Sequence, residues 1–103
     1  MIHDPDYAVA YTKARIAAWQ HGWAITLHGS FTRDLDLVAI PWTDRACDVD
    51  RLIAAIEYRT GLKRQGPPSD KPHGRKALSL LFPDAEDCRW VDLSIMPRTV
   101  EVA

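Results

Sequence analysis

The sequence holds only 2 cysteines and 5 glycines in 103 residues, and its 13 Lys and Arg are offset by 14 Asp and Glu. With a net charge of −1 and no basic block longer than two or three residues, it lacks the phosphate-neutralising charge that broad DNA binding requires. No apolar run approaches the roughly 20 residues of a membrane helix. The acidic start, Met1 to Asp6, has neither the basic stretch nor the apolar core of a secretion signal, so a cytoplasmic location is expected. Cys47 and Cys88 stand far apart without a metal-type spacing, and both read as reduced, partly buried residues. The four histidines, His3, His21, His28 and His73, form no i, i+4 helical pair, which argues against zinc and leaves oxygen ligation as the route to a metal.

Apolar residues make up 47% of the chain and charged residues 26%, the balance of one globular domain of this length. Residues 5–20 read as a helix, with Pro5 in the first turn, a stripe of Tyr7, Tyr11, Ala14 and Ala18 closed by Trp19, and Gly22 as the stop. A short strand over 24–28 runs into Gly29-Ser30, and a second strand over 34–41 follows after only three residues. A second helix, capped by Thr43 or Asp48, carries Val49, Leu52, Ile53 and Ile56 on its buried stripe and ends at Gly61. Residues 63–76, with three prolines, two glycines and five Lys or Arg, read as a long loop. Strands over 77–82 and 89–96, joined by a polar turn, form a hairpin. The expected architecture is α+β: a mixed sheet of about four strands with two helices on one face, in a single domain over 1–103.

Three features carry chemistry. Asp34 and Asp36 flank Leu35, and the period of two puts both carboxylates on one side of the strand. Carboxylates that close repel, and a divalent cation offsets the repulsion. Such aspartates also occur on the wet face of any half-buried strand. Gly29-Ser30 suits a phosphate-binding turn, because glycine lets a ligand approach the backbone and serine adds a donor; it equally suits an ordinary turn. Asp92 lies between Val91 and Leu93 in a strand expected to be central, where a carboxylate needs a cation or hydrogen bonds. Arg98 is an alternative partner for it. His28 shares a face with Thr26 and either faces the site or satisfies a polar edge. Trp19, Trp23, Trp42 and Trp90 are core or rim residues, or one of them stacks on a base.

The succession His28-Gly29-Ser30, Asp34-Leu35-Asp36-Leu37 and Val91-Asp92-Leu93 resembles the signature of the DNA polymerase β-like nucleotidyltransferases, especially the minimal single-domain type. Arg33 to Trp42 and Lys71 to Arg75 are similar to segments of small phage and prophage proteins of that superfamily. The resemblance spans residues 24–97 and implies a nucleotidyltransferase-like fold. It also implies transfer of a nucleoside monophosphate from a nucleoside triphosphate to a hydroxyl acceptor on a protein, RNA or small molecule. In that reading Asp34, Asp36 and Asp92 ligate Mg²⁺ or Mn²⁺, and Gly29 and Ser30 hold the triphosphate. Such chemistry suits two hard cations in an oxygen-ligand site. The chain departs from the family in placing only Phe31, Thr32 and Arg33 between Ser30 and Asp34, where about ten residues with a helical turn are usual. Fewer backbone N–H groups then reach the phosphates, and Lys71, His73 and Arg75, together with Lys76, are the expected substitutes. The alternative is a catalytically degenerate module of the same fold, such as a phage-encoded inhibitor of a host protein.

Overall fold

The computed structural model describes residues 5–28, 35–84, 86, 87 and 89–98. Helix α1 (Pro5–Trp19) opens with proline where no intrahelical donor is needed. It buries Tyr7, Ala10, Ala14, Ala17 and Ala18, and the small alanine side chains let it lie close against its neighbours. Trp19 does not close that stripe. It is 58% exposed and stacks on Trp42, with ring centroids 4.9 Å apart. Gly22 ends the segment at φ +83°, where a Cβ would stand 2.7 Å from the Thr43 hydroxyl oxygen and 2.8 Å from Ala46 Cα. Only glycine meets both conditions.

Strand β1 (Trp23–His28) follows, anchored by fully buried Trp23, whose Nε1 donates to the Cys47 carbonyl at 2.9 Å. Strand β2 (Leu35–Pro41) alternates buried Leu35, Leu37 and Ala39 with half-exposed Asp36 and Val38. Helix α2 (Val49–Thr60) is capped at both ends. The Asp48 carboxylate accepts from the Arg51 N–H at 2.8 Å, and Gly61, at φ 80°, donates to the Glu57 carbonyl. Leu52, Ile53 and Ile56 form its buried stripe, and of the two proposed caps Asp48 is the one used.

The segment expected to be a loop over 63–76 is more structured than its composition suggests. It contains β3 (Lys63–Arg64), β4 (Ser69–Asp70) and a 3₁₀ turn at Pro72–Gly74, and both short strands pair antiparallel with β5 (Lys76–Leu81). Two-residue strands leave no periodic signature, and prolines are tolerated between them because no ladder runs through those positions. Strand β6 (Trp90–Ile95) completes the expected hairpin with β5.

The six strands form one mixed sheet in the order β1-β2-β6-β5-β3, with β4 also against β5. The pair β2 and β6 is parallel, which requires the long return through α2; the remaining pairs are antiparallel. Both helices cover one face of the sheet, where Ile25, Leu35, Leu37, Leu80, Val91, Leu93 and Ile95 join helix residues in a common core. No polar or charged residue among those described is buried. The Arg89 guanidinium lies 4.7 Å over the Phe82 ring and pairs with Asp6 of α1 and Asp87 of the turn, tying the first helix to the hairpin. No helix among the described residues is long and apolar enough to cross a membrane.

Candidate active site

Among the described residues no α-helix covers the opposite face of the sheet, and its side chains follow from the pleat. With Leu35, Leu37, Val91 and Leu93 turned into the core, the residues between them must point the other way. Register then aligns them. His28 pairs with Asp36 across β1 and β2, Asp36 with Asp92 across β2 and β6, and Asp92 with Ser79 across β6 and β5. One lateral row, His28, Asp36, Asp92, Ser79, therefore crosses four strands. Adjacent strands lie about 4.8 Å apart, so two carboxylates 56 positions apart in sequence become immediate neighbours.

Asp92 is fixed at both oxygens. The Ser79 hydroxyl donates to Oδ1 at 2.9 Å and the Trp90 indole N–H reaches Oδ2 at 3.3 Å. These donors orient the carboxylate and leave a further lone pair on each oxygen. Arg98, the alternative partner, instead donates to the Ala46 carbonyl. Of these two neighbours of Asp92, the sequence reading left Ser79 unmentioned and took Trp90 only for a core or rim residue or a stacking ring. Trp90 precedes Asp92 by one strand period, so alternation alone places it on the same face. Ser79 becomes visible only once the hairpin register is known.

His28, Asp36, Asp92 and Ser94 line a depression of about 340 Å³, with Arg75 and Met96 at its edge. A second hollow of about 260 Å³ lies beside it, lined by Lys71, Ser69, Ser79 and again Asp92. Arg75 and Lys71 thus come to the carboxylate row from the segment after β4, and a hydrogen bond from the Lys71 N–H to the Arg75 carbonyl at 2.7 Å closes the turn between them. Within it His73 adopts φ 67°; it is exposed and lines neither hollow. Lys76 is engaged by Asp70. Gly29, Ser30, Arg33 and Asp34 lie outside the described residues, as does Cys88.

Among the described residues no three His, Cys, Asp or Glu side chains gather as a metal centre. The donors on this face are nonetheless of the right kind for a hard cation: two neighbouring carboxylates, one of them oriented by hydrogen bonds, at a hollow open to ligand.

No family model matches the chain, and no curated protein matches it. Solved structures do, in 25 chains. One is the Cid1 poly(U) polymerase with MgGTP bound, from structures that reveal its mechanism of UTP selectivity. The likeness has a TM-score of 0.53 at 14% identity and covers 91% of this chain and 33% of the polymerase. At that identity the similarity is one of architecture: the protein has a nucleotidyltransferase-like α+β fold. It spans about a third of the length of the polymerase it matches.

Proposed function

We propose that the chain is a single minimal domain over 1–103 that transfers a nucleoside monophosphate from a nucleoside triphosphate to a hydroxyl acceptor, in the cytoplasm. The observation that supports this most directly is the side-by-side register of Asp36 and Asp92 on the open face of a nucleotidyltransferase-like sheet. Asp34, two residues before Asp36 in the sequence, is the third acidic group of this reading. Mg²⁺ or Mn²⁺ held by these carboxylates would neutralise charge on the attacking and leaving oxygens of the displacement.

The remaining work falls to side chains. Arg75 and Lys71, which line the two hollows that meet at Asp92, supply charge-assisted donors for the triphosphate, together with Gly29, Ser30 and His73. Asp92, oriented by Ser79 and Trp90, accepts a hydrogen bond from the acceptor hydroxyl. The hydroxyl oxygen bonds to the α-phosphorus as the bond to pyrophosphate breaks, and the hydroxyl proton passes to Asp92. In this reading the acceptor, a protein, an RNA or a small molecule, presents its hydroxyl to the open face of the sheet.

Thermal-shift titration tests the binding half of this reading. Mg²⁺ or Mn²⁺ plus a triphosphate raises the melting temperature as binding to the native state requires, and Asp36→Asn removes the increment. Incubation with α-labelled triphosphates and cell lysate tests transfer: a protein or RNA band gains label with the wild type and not with Asp92→Asn. The three-residue link between Ser30 and Asp34 favours a second reading, a degenerate module that inhibits a host protein. Ligand-induced stabilisation without labelling under either metal would select it, and no shift at all would remove the nucleotide site.

A further inference from the structure

On the helical side of the molecule, remote from the carboxylate row, a hollow of about 450 Å³ opens between the end of α1 and the outer face of α2. Its size is that of a small-ligand pocket. Arg51, Ala54, Ala55, Tyr58 and Arg59 line it from α2, with Gln20 across from them, and no carboxylate is in the lining. At 100° per residue the five α2 positions share one face of the helix, opposite buried Leu52, Ile53 and Ile56.

The charges of α2 are distributed unequally. Its carboxylates Asp50 and Glu57 both engage Arg64 of β3, which turns the acidic side of the helix away. Among the described residues Arg51 and Arg59 make no ion pair; Arg59 donates only to the Gln20 side-chain oxygen at 3.0 Å. Between them lies Tyr58, 92% exposed, the most solvent-accessible large apolar side chain among those described. An aromatic ring left this open has no packing role.

We infer that this face of α2 binds a segment of single-stranded nucleic acid, one base stacking on Tyr58 over the alanine floor and two phosphates paired with Arg51 and Arg59. Eight residues at about 1.5 Å each separate the two arginines by about 12 Å along the helix, too far for one phosphate and suited to two on a strand. Cations interleaved with an exposed ring make the arrangement by which single strands are gripped without base readout. An acidic peptide would use the arginines but not the ring. The site is local, so it agrees with a chain whose overall charge gives no broad affinity for DNA. It does not depend on the proposed transferase chemistry.

The test is fluorescence anisotropy of a labelled single-stranded oligonucleotide, titrated with the whole chain at several salt concentrations. Two neutralised phosphates give a slope of log affinity on log salt of about −1.4. The double variant Arg51→Ala/Arg59→Ala brings the slope towards zero and weakens binding at least tenfold. Tyr58→Ala leaves the slope unchanged and weakens binding about 5-fold or more, and Tyr58→Trp restores it. Lys63→Ala, which removes an exposed cation of β3, leaves both quantities as they were. All the altered α2 side chains are exposed, so the variants fold. The inference is overturned by an absence of binding, or by a double variant that binds like the wild type. A poly-glutamate peptide that displaces the oligonucleotide while binding Tyr58→Ala as well as wild type also overturns it, and assigns the face to an acidic protein.

Discussion

The two faces of the sheet are made from the same strands, often from adjacent residues, and they differ in what they can lose. On the covered face Leu93 is 1% exposed and embedded among Leu35, Leu37 and Ile53 in the core. Asp92, one residue earlier, points to the open face with Ser79 and Trp90 as its donors. The pleat assigns stability to one set of positions and chemistry to the other, so substitution one residue apart separates fold from function.

Leu93→Ala is the harshest test of that division. Removing a fully packed leucine costs about 2–5 kcal/mol through lost burial and the cavity left behind, to be read from the urea midpoint. Gly22→Ala comes next: the left-handed backbone alone costs a non-glycine residue about 1–3 kcal/mol, and the crowding by Thr43 and Ala46 adds to it. Should Gly22→Ala unfold at the wild-type midpoint, the tight turn from α1 into β1 would not be a determinant of the fold.

Arg89→Met produces a smaller loss with a pH signature. The Arg89 guanidinium, hydrogen-bonded to Asp87, holds that carboxyl below its ordinary 3.8, down to about 2. A carboxyl depressed in the folded state adds stability above its unfolded value and loses it as pH falls through the folded one. Wild-type stability therefore declines between pH 3.8 and about 2, and Arg89→Met flattens that part of the decline. Glu57 adds to the acid limb in both proteins: burial pushes its carboxyl up, yet the hydrogen bonds and charge of Arg64 hold it below its usual value. The smallest effect on stability belongs to Asp92→Asn, within about 0.5 kcal/mol, as for other substitutions outside the core. The amide oxygen still accepts from Ser79, while the proposed binding of metal and triphosphate falls away. A loss from Asp92→Asn as large as that from Leu93→Ala would erase the distinction between the faces.

The sequence made the covered face easy to read. Alternation through 35–41 and 90–95, the capped helix from Asp48 to Gly61 and the apolar spacing elsewhere identified both α-helices and the four longer strands in place. Trp19 was misread because a tryptophan at helical spacing looks like core, whereas its ring finds another exposed ring, Trp42, beyond the helix. Strands β3 and β4 were hidden in a proline-rich stretch because two residues are too few to show a period. For the candidate site, the spacing around Asp36 and Asp92 gave the face of each carboxylate. Their adjacency depends on the parallel pairing of β2 with β6, a non-local match to which no local propensity points, and the donors Ser79 and Trp90 follow from it.

That parallel ladder also constrains how such a chain can vary. Sliding β6 by one residue along β2 would drive Asp92 inward and Val91 and Leu93 into solvent, a change the core itself forbids. Sliding it by two would keep every apolar group inside yet set Asp36 beside Trp90 or Ser94, and the core alone would not object. The hydrogen bond from the Met96 N–H to the Ala39 carbonyl at 2.9 Å and the hairpin alignment of Ser79 with Asp92 guard against that quieter error. Added or deleted residues are thus tolerable in the turn after Leu81, but within either ladder even a paired insertion would leave a sound fold with its acidic groups out of step.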